Sequence, residues 1–126
     1  MTKVSTFEEL RIWQEARLLA KDIYIANSSE QSKGAKDWGF RNQIQTAVVS
    51  ITNNIAEGFE RSSDKDFARF LDIAKASCGE ARSMLYLAED LNYIAVNKAL
   101  ELRNKSISIS KGISTLTKHL RKQPEI

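Results

Sequence analysis

The chain has very little of the two residues that most often interrupt a helix. Its 126 residues include one proline, Pro124 near the end, and five glycines. Proline and glycine weaken helix interiors and punctuate turns, and no turn signal separates two stretches of alternating polar and apolar residues. The sequence therefore favours an all-α protein.

Cysteine and histidine occur once each. A single cysteine, Cys78, excludes an intrachain disulfide, and within a helical pattern it is expected to be packed rather than reactive. The lone His119, beside Lys118 in the last turn of the final helix, specifies no reaction by itself. No zinc, dinucleotide or phosphate-loop motif is present. We expect no enzymatic activity, no cofactor and no bound metal.

Long apolar runs are also absent. The apolar runs are too short to cross a bilayer, and residues 1–7 lack an apolar leader segment. The composition, 42% hydrophobic and 28% charged, is that of a globular chain. These features predict a cytoplasmic protein without a membrane partner, folded as one domain over residues 1–126.

Four stretches carry the apolar periodicity of amphipathic helices. The first is predicted over residues 8–26 with Thr6 as its N-cap, and a Ser-, Lys- and Gly-rich loop follows over residues 27–36. The second helix is predicted over residues 37–57. Gly58 is the residue type that a left-handed C-terminal cap prefers.

The third helix is predicted to open at Ser62 or Ser63, where Ser63 and Asp66 form a weaker version of the capping box. Its exit is expected at residues 92–94. Asn97 is the predicted N-cap of a fourth helix that continues nearly to the C-terminus. Short connections place successive helices antiparallel, which predicts an up-down-up-down four-helix bundle.

Three large apolar residues lie near the predicted ends of the second helix. They are Trp38, Phe40 and Phe59. Two interpretations are open for them: they cap the ends of the core, or they lie in a subunit interface.

A polar row follows one side of the second helix, where Asn54 and Glu57 share a face with Ser50. An ionised carboxylate buried alone costs several kcal/mol, so Glu57 should find a donor or face an interface. We interpret Asn54, Glu57, Ser77 and Glu80 as a structural polar cluster that fixes helix register or an interface. The alternative is a Glu57–Glu80 pair for acid–base or metal chemistry, but the Glu-x-x-His motifs of di-metal bundles are absent.

Positive charge is concentrated at the end of the chain. Residues 98–126 carry seven basic and two acidic residues, a net of +5, whereas residues 1–97 carry 12 basic and 14 acidic residues, a net of −2. Lys111, Lys118 and Lys122 lie opposite the apolar row of the fourth helix, and with Arg121 they are candidate nucleic-acid contacts. The alternative is a solvated helix end where lysines are favourable anyway, since no aromatic residue is interleaved with them to stack a base.

Several segments together carry a family resemblance. They are Phe7-Glu8-Glu9-Leu10, Trp13-Gln14, Asp37-Trp38-Gly39-Phe40-Arg41-Asn42-Gln43-Ile44, Val49-Ser50-Ile51, Asn54-Ile55-Ala56-Glu57-Gly58-Phe59-Glu60-Arg61, Lys65, Phe67, Phe70-Leu71, Ile73-Ala74-Lys75, Ser77-Cys78-Gly79-Glu80 and Leu91 to Ile94. With these segments the chain resembles the "four helix bundle protein" family, the bacterial ribosomal-RNA intervening-sequence proteins. That family is distantly similar to the accessory protein of diversity-generating retroelements.

The resemblance implies a bundle that assembles as a ring-like homopentamer, with nucleic-acid or reverse-transcriptase association proposed for some members and no established catalytic activity. The chain departs from the family pattern at Gln45 and Thr46, where arginines are typical, and at Asn92, where glycine is usual. Our first hypothesis is a non-enzymatic homo-oligomeric scaffold that associates with RNA or DNA through its basic fourth helix. The alternative is an adaptor for a protein partner, for example an accessory subunit of a reverse transcriptase.

Overall fold

The structure, a computed structural model, describes residues 4–28 and 33–122. Its elements are a 3₁₀ turn at Phe7–Glu9, α1 at Arg11–Ser28, a 3₁₀ turn at Lys33–Lys36, α2 at Trp38–Phe59, α3 at Asp64–Asp90 and α4 at Val96–Arg121. Each helix packs against the next along the chain, and α1 packs against α4. The predicted up-down-up-down four-helix bundle is confirmed.

The core lies along the bundle axis, where the apolar rows of the four helices meet. Spacings of three, four and seven residues place these side chains on one face of each helix. The largest fully buried apolar side chains are Leu19, Ile23, Ile44, Val48, Ile51, Ile55, Leu71, Leu85, Leu102, Ile109 and Ile113. Within residues 4–28 and 33–122, no helix is long and apolar enough to cross a lipid bilayer.

The start of the first helix differs from the prediction. Thr6 makes no side-chain cap, and Leu10, with ψ at 125°, separates the first 3₁₀ turn from α1. The carboxylate of Glu9 accepts hydrogen bonds from the Ser5 N–H at 3.2 Å and the Thr6 hydroxyl at 3.5 Å. These bonds stabilise the 3₁₀ turn, so α1 begins at Arg11 rather than near residue 8.

The loop predicted over residues 27–36 is shorter in the structure. Residues 27 and 28 belong to α1, and residues 33–36 form a 3₁₀ turn. The remaining positions, 29–32, lie outside the described residues.

The predicted starts of α2 and α3 are confirmed. Asp37 Oδ1 accepts a hydrogen bond of 3.1 Å from the Phe40 N–H. Ser63 Oγ accepts one of 3.1 Å from the Asp66 N–H. Both side chains satisfy a backbone donor that the first helical turn leaves without a partner.

The prediction that Gly58 ends α2 in a left-handed conformation is wrong. The helix continues through Gly58 to Phe59, and Gly58 is buried. A Cβ at this position would lie 2.7 Å from Phe70 Cβ and 2.9 Å from Phe67 Cδ1. Glycine is needed here because α2 and α3 approach each other too closely for any side chain.

The connection between α3 and α4 contains a left-handed residue that is not glycine. Asn92 has φ at 59°, a conformation that asparagine tolerates better than most residues. The predicted exit of α3 is confirmed at this point. The prediction of Asn97 as the N-cap is wrong, because Ala95 holds that position and Asn97 lies inside the first turn of α4.

Two of the three large apolar residues near the ends of α2 cap the core. Phe40 packs edge-on against Tyr93, with ring centroids 5.2 Å apart, and Phe59 packs edge-on against Phe67 at 5.8 Å. Trp38 is 65% exposed, and its ring lies beneath the Arg41 guanidinium, 5.3 Å from the ring centroid. Only Trp38 is left without a place in the core of this chain.

Candidate functional site

The polar row of α2 meets α3 through hydroxyl and amide groups. Asn54 Nδ2 donates to the Ser50 backbone oxygen at 2.8 Å and to Ser50 Oγ at 3.0 Å. The Ser50 and Ser77 hydroxyls share a hydrogen bond of 2.8 Å. Ser77 is buried and Asn54 is half-buried, and buried polar groups normally have such partners. Asn54 and Ser77 are therefore joined through Ser50.

The two carboxylates of the expected cluster lie outside this network. Glu57 is exposed, and Glu80, also exposed, accepts a hydrogen bond of 2.6 Å from Gln43 Nε2. Three residues along an α-helix turn the side-chain direction by about 300°, so the row rotates outward between Asn54 and Glu57. Within the described residues, the four side chains do not form one hydrogen-bonded group.

Gln43 also belongs to the polar contact between α2 and α3, and the sequence pattern did not identify it. It contacts Glu80 across the junction of α2 and α3. The signal that identifies it is its spacing, because Gln43 precedes Ser50 by two helical turns and so shares its face.

The structure separates Glu57 from Glu80. Gln43 is level with Glu80, and α2 rises about 1.5 Å per residue. The 14 residues from Gln43 to Glu57 therefore put the two carboxylates about 21 Å apart along the bundle, too far for two-metal or paired-carboxylate chemistry. No group of three or more metal-ligating side chains occurs among residues 4–28 and 33–122. The hypothesis of a Glu57–Glu80 pair is wrong.

Most basic side chains of the first half of α4 are engaged in ion pairs with carboxylates. Arg103 contacts Glu89 at 3.1 Å and lies 4.1 Å from the centre of the Tyr86 ring. Lys105 contacts Asp22 at 2.9 Å, and this hydrogen bond raises the pKa of Lys105. These cations fasten α4 to α3 and α1, which leaves them little capacity for a ligand.

The four candidate nucleic-acid contacts divide into two groups. Arg121 is paired with Asp72 of α3 at 2.5 Å, and this hydrogen bond raises the pKa of the guanidinium. Lys111, Lys118 and Lys122 are exposed and make no ion pair within the described part of the chain. We call these three lysines the basic face of α4. It faces away from the core, as the sequence predicts.

The remaining candidate residues show no reactive arrangement. Cys78 is buried, and burial raises the pKa of its thiol to about 12, against a smaller opposing effect of Arg82. A thiol in this state is neither a nucleophile nor a metal ligand at neutral pH. His119 lies exposed in the last turn of α4.

Most of the chain matches the model of one protein family. The model of the family described as "23S rRNA-intervening sequence protein" matches residues 8–115. The chain belongs to this family. A crystal structure described as a protein with unknown function from the S23 ribosomal protein family of Bacteroides thetaiotaomicron VPI-5482 is similar to this chain, with 26% sequence identity. The similarity covers 85% of this chain and 98% of that chain, with a TM-score of 0.76.

No curated protein matches the chain. The family description names 23S rRNA intervening sequences, and the description of the solved structure states an unknown function. Nothing in either description indicates an enzymatic activity.

Proposed function

We propose that the chain is a non-enzymatic, homo-oligomeric scaffold that binds nucleic acid through positive charge on α4. The observation that carries the proposal is the charge of this helix. From Leu102 to Pro124 the sequence contains no acidic residue, and the basic face of α4 lies exposed within that stretch. Such a surface favours a polyanion without requiring a base-specific contact.

The family description names the nucleic acid to test first. It refers to intervening sequences of 23S rRNA. A ring-like homopentamer, which the family resemblance implies, would repeat the basic face of α4 around one assembly. Repetition strengthens binding because the second and later contacts form within the same complex.

The support for self-association comes from α2. From Asn42 to Ala56 the sequence has no charged residue, although 28% of the chain is charged. The outer side of this stretch is made of exposed and half-buried residues and forms a groove of about 490 Å³ with Tyr24 of α1. Charged residues are depleted at the centre of protein interfaces, so this uncharged side of α2 is the surface we assign to a second copy of the chain.

Light-scattering mass after size exclusion, with and without nuclease, tests the assembly. We expect a mass that is a multiple of 14.2 kDa after nuclease treatment, and a raised ratio of absorbance at 260 to 280 nm before it. A monomer under both conditions contradicts the oligomeric part of the proposal.

Salt titration of binding to duplex RNA tests the nucleic-acid part. We expect affinity to fall steeply as salt rises, since neutralised phosphates release counterions. Replacing Lys111, Lys118 and Lys122 by glutamate should abolish binding at about 100 mM salt, whereas the same change at Lys21 and Lys36, which lie elsewhere on the surface, should have a smaller effect. Equal affinity of the two charge-reversed proteins contradicts the proposal.

The alternative function, an adaptor for a protein partner, is favoured by one other observation. Val96 is 66% exposed and Leu100 is 50% exposed, and a spacing of four residues places them on one side of α4. Apolar side chains grouped in this way are typical of protein interfaces. Co-purification of a protein that survives high salt and nuclease would favour the adaptor over the nucleic-acid scaffold.

A further inference from the structure

A positively charged groove between α3 and α4 adjoins the basic face of α4. The groove has a volume of about 380 Å³, and its floor is formed by Cys78 and Gly79 of α3 and by Ser106 and Ser110 of α4. These residues are small, and a Cβ at Gly79 would meet no atom within 4 Å. Ser106 donates to the Cys78 backbone oxygen at 2.9 Å. The Ser110 hydroxyl makes no hydrogen bond within the described residues. We call this surface the α3–α4 groove.

Two ion pairs bracket the groove along the bundle. Asp72 pairs with Arg121 at one end, at 2.5 Å, and Glu89 pairs with Arg103 at the other end, at 3.1 Å. Asp72 is also the one carboxylate that lines the groove itself. Both carboxylates are therefore neutralised by neighbours and do not oppose a bound anion.

The hydrogen bond from Ser106 to the Cys78 backbone oxygen sets the antiparallel register of α3 against α4. Lys75, three residues before Cys78, is therefore about level with Lys111. Lys118 lies seven residues, about 10.5 Å, further along α4 and outside the groove.

Lys75 and Arg82 line the groove, and Lys111 follows its lining residue Ser110 on α4. These three cationic side chains are exposed, and none makes an ion pair within residues 4–28 and 33–122. Three unpaired cations therefore lie around the groove, next to the hydroxyl groups of its floor.

We propose that the α3–α4 groove seats the phosphodiester backbone of a nucleic-acid duplex, with Lys75 and Arg82 on the α3 wall and Lys111 on the α4 wall. This inference rests on the proposed function and adds α3 to the surface that performs it. It also excludes three of the residues expected from the sequence: Arg121 is occupied by Asp72, and Lys118 and Lys122 lie further along α4 than the groove.

The spacing of the cations fits a duplex. Lys75 and Arg82 are seven residues apart, about 10.5 Å along α3. Each strand of a duplex carries one phosphate about every 3.4 Å of its axis, so the α3 wall spans about three phosphates. No aromatic ring is among the described residues that line the groove. We therefore expect the groove to contact the nucleic-acid backbone without stacking a base.

The experiment compares Lys75→Gln/Arg82→Gln with the wild-type protein and with the matched control Lys21→Gln/Lys36→Gln. Each variant is titrated with a 20-base-pair RNA duplex, the DNA duplex of the same sequence, and single-stranded RNA, between 50 and 200 mM salt. Its light-scattering mass is also recorded. We expect the groove variant to bind both duplexes about 10 to 100 times more weakly, and its slope of log affinity against log salt to be shallower by about 2.

We expect the control variant and Lys122→Gln to bind duplexes as the wild type does, and all proteins to prefer a duplex to a single strand. If the groove variant binds like the wild type while charge reversal on the basic face of α4 abolishes binding, the groove is wrong and the proposed function stands. If the groove variant changes mass and not affinity, the groove is a subunit contact, which overturns the inference. If the wild type binds no nucleic acid at 50 mM salt, both proposals fail.

Discussion

Gly58 and Gly79 both lie inside helices, but their surroundings differ. A Cβ at Gly58 would lie 2.7 Å from Phe70 Cβ, whereas a Cβ at Gly79 would have no atom within 4 Å. Alanine raises helix propensity by about 1 kcal/mol at either position. We therefore expect Gly79→Ala to stabilise the protein by about 0.5 to 1 kcal/mol, and Gly58→Ala to destabilise it by about 1 to 3 kcal/mol because the two helices must separate.

Urea unfolding of the two alanine variants measures this difference in sign. Because both substitutions make the same chemical change in a helix interior, each is the control for the other. Stabilisation by both would mean that α2 and α3 move apart at little cost.

Asn27 near the end of α1 is a buried polar residue of another kind. Its side chain is fully buried, and neither its Nδ2 nor its Oδ1 has a hydrogen-bond partner within the described residues. A buried amide left in this state costs about 1 to 3 kcal/mol. We expect Asn27→Leu, which has a similar branched shape, to raise the melting temperature. Asn27→Asp should lower it by adding a buried charge, and a fall for the leucine variant contradicts the interpretation.

At the level of single residues, capping could be predicted in part and close packing could not. Ser63 was predictable as an N-cap because a cap depends on residues within three positions along the chain, whereas the N-caps predicted at Thr6 and Asn97 do not form. Gly58 was misassigned because its role depends on Phe67 and Phe70 of another helix. A glycine after an apolar row fits a C-cap and a close helix contact equally well in the sequence.

At the scale of helices, the start of α2 is held against the connection between α3 and α4. The Tyr93 hydroxyl donates to Asp37 Oδ2 at 2.7 Å. This bond, followed by the bond from the Phe40 N–H, lowers the pKa of the Asp37 carboxyl below its ordinary value of 3.8. One carboxylate thus caps α2 and ties it to a turn 56 residues away in the sequence.

The sign of the resulting pH dependence follows from the lowered pKa. A carboxyl whose pKa is lower in the folded state contributes stability above its unfolded pKa and loses it as pH falls through the folded one. We expect Tyr93→Phe to be less stable than the wild type at pH 6, and the difference to shrink below about pH 4. Urea unfolding at pH 6 and pH 3 measures it, and a difference that stays constant would show that the Asp37 charge plays no part.

The polar contact between α2 and α3 shows how far a helical pattern predicts a site. Asn54 and Ser77 could be predicted as members of the polar contact, because each lies beside the apolar row of its helix. The structure joins them through Ser50. The exposure of Glu57 could not be predicted, because three residues along a helix turn the side-chain direction by about 300° rather than a full 360°. The contact of Gln43 with Glu80 depends on the register of two helices, which the sequence of one helix does not contain.

At the scale of the whole molecule, charge is distributed unevenly over the surface. The outer side of α2 carries no charge from Asn42 to Ala56, whereas α4 and the adjoining side of α3 carry unpaired cations. The two surfaces lie on different helices, so a second copy bound at α2 leaves the α3–α4 groove open. From the sequence, the positive surface could be predicted only for α4, because the contribution of Lys75 and Arg82 depends on how α3 and α4 align.

We expect a charge placed in the uncharged side of α2 to weaken the assembly. Val49, half-buried in the groove beside Tyr24, is the position to change, because a desolvated aspartate opposite a second copy lacks a partner. Val49→Asp should lower the light-scattering mass relative to the wild type. Asn104→Asp, on the exposed side of α4, adds the same charge elsewhere and should leave the mass unchanged. An unchanged mass for Val49→Asp would place the subunit contact on another surface.

The buried Cys78 has a practical consequence for experiments. Because it is the single cysteine of the chain and its thiol is both covered and protonated, a maleimide dye should react with it only when α3 and α4 separate. The labelling rate of Cys78 then measures the rate at which the bundle opens beneath the groove. Any cysteine introduced on the surface should react far sooner, so fluorophores can be attached at chosen positions without first removing the natural thiol.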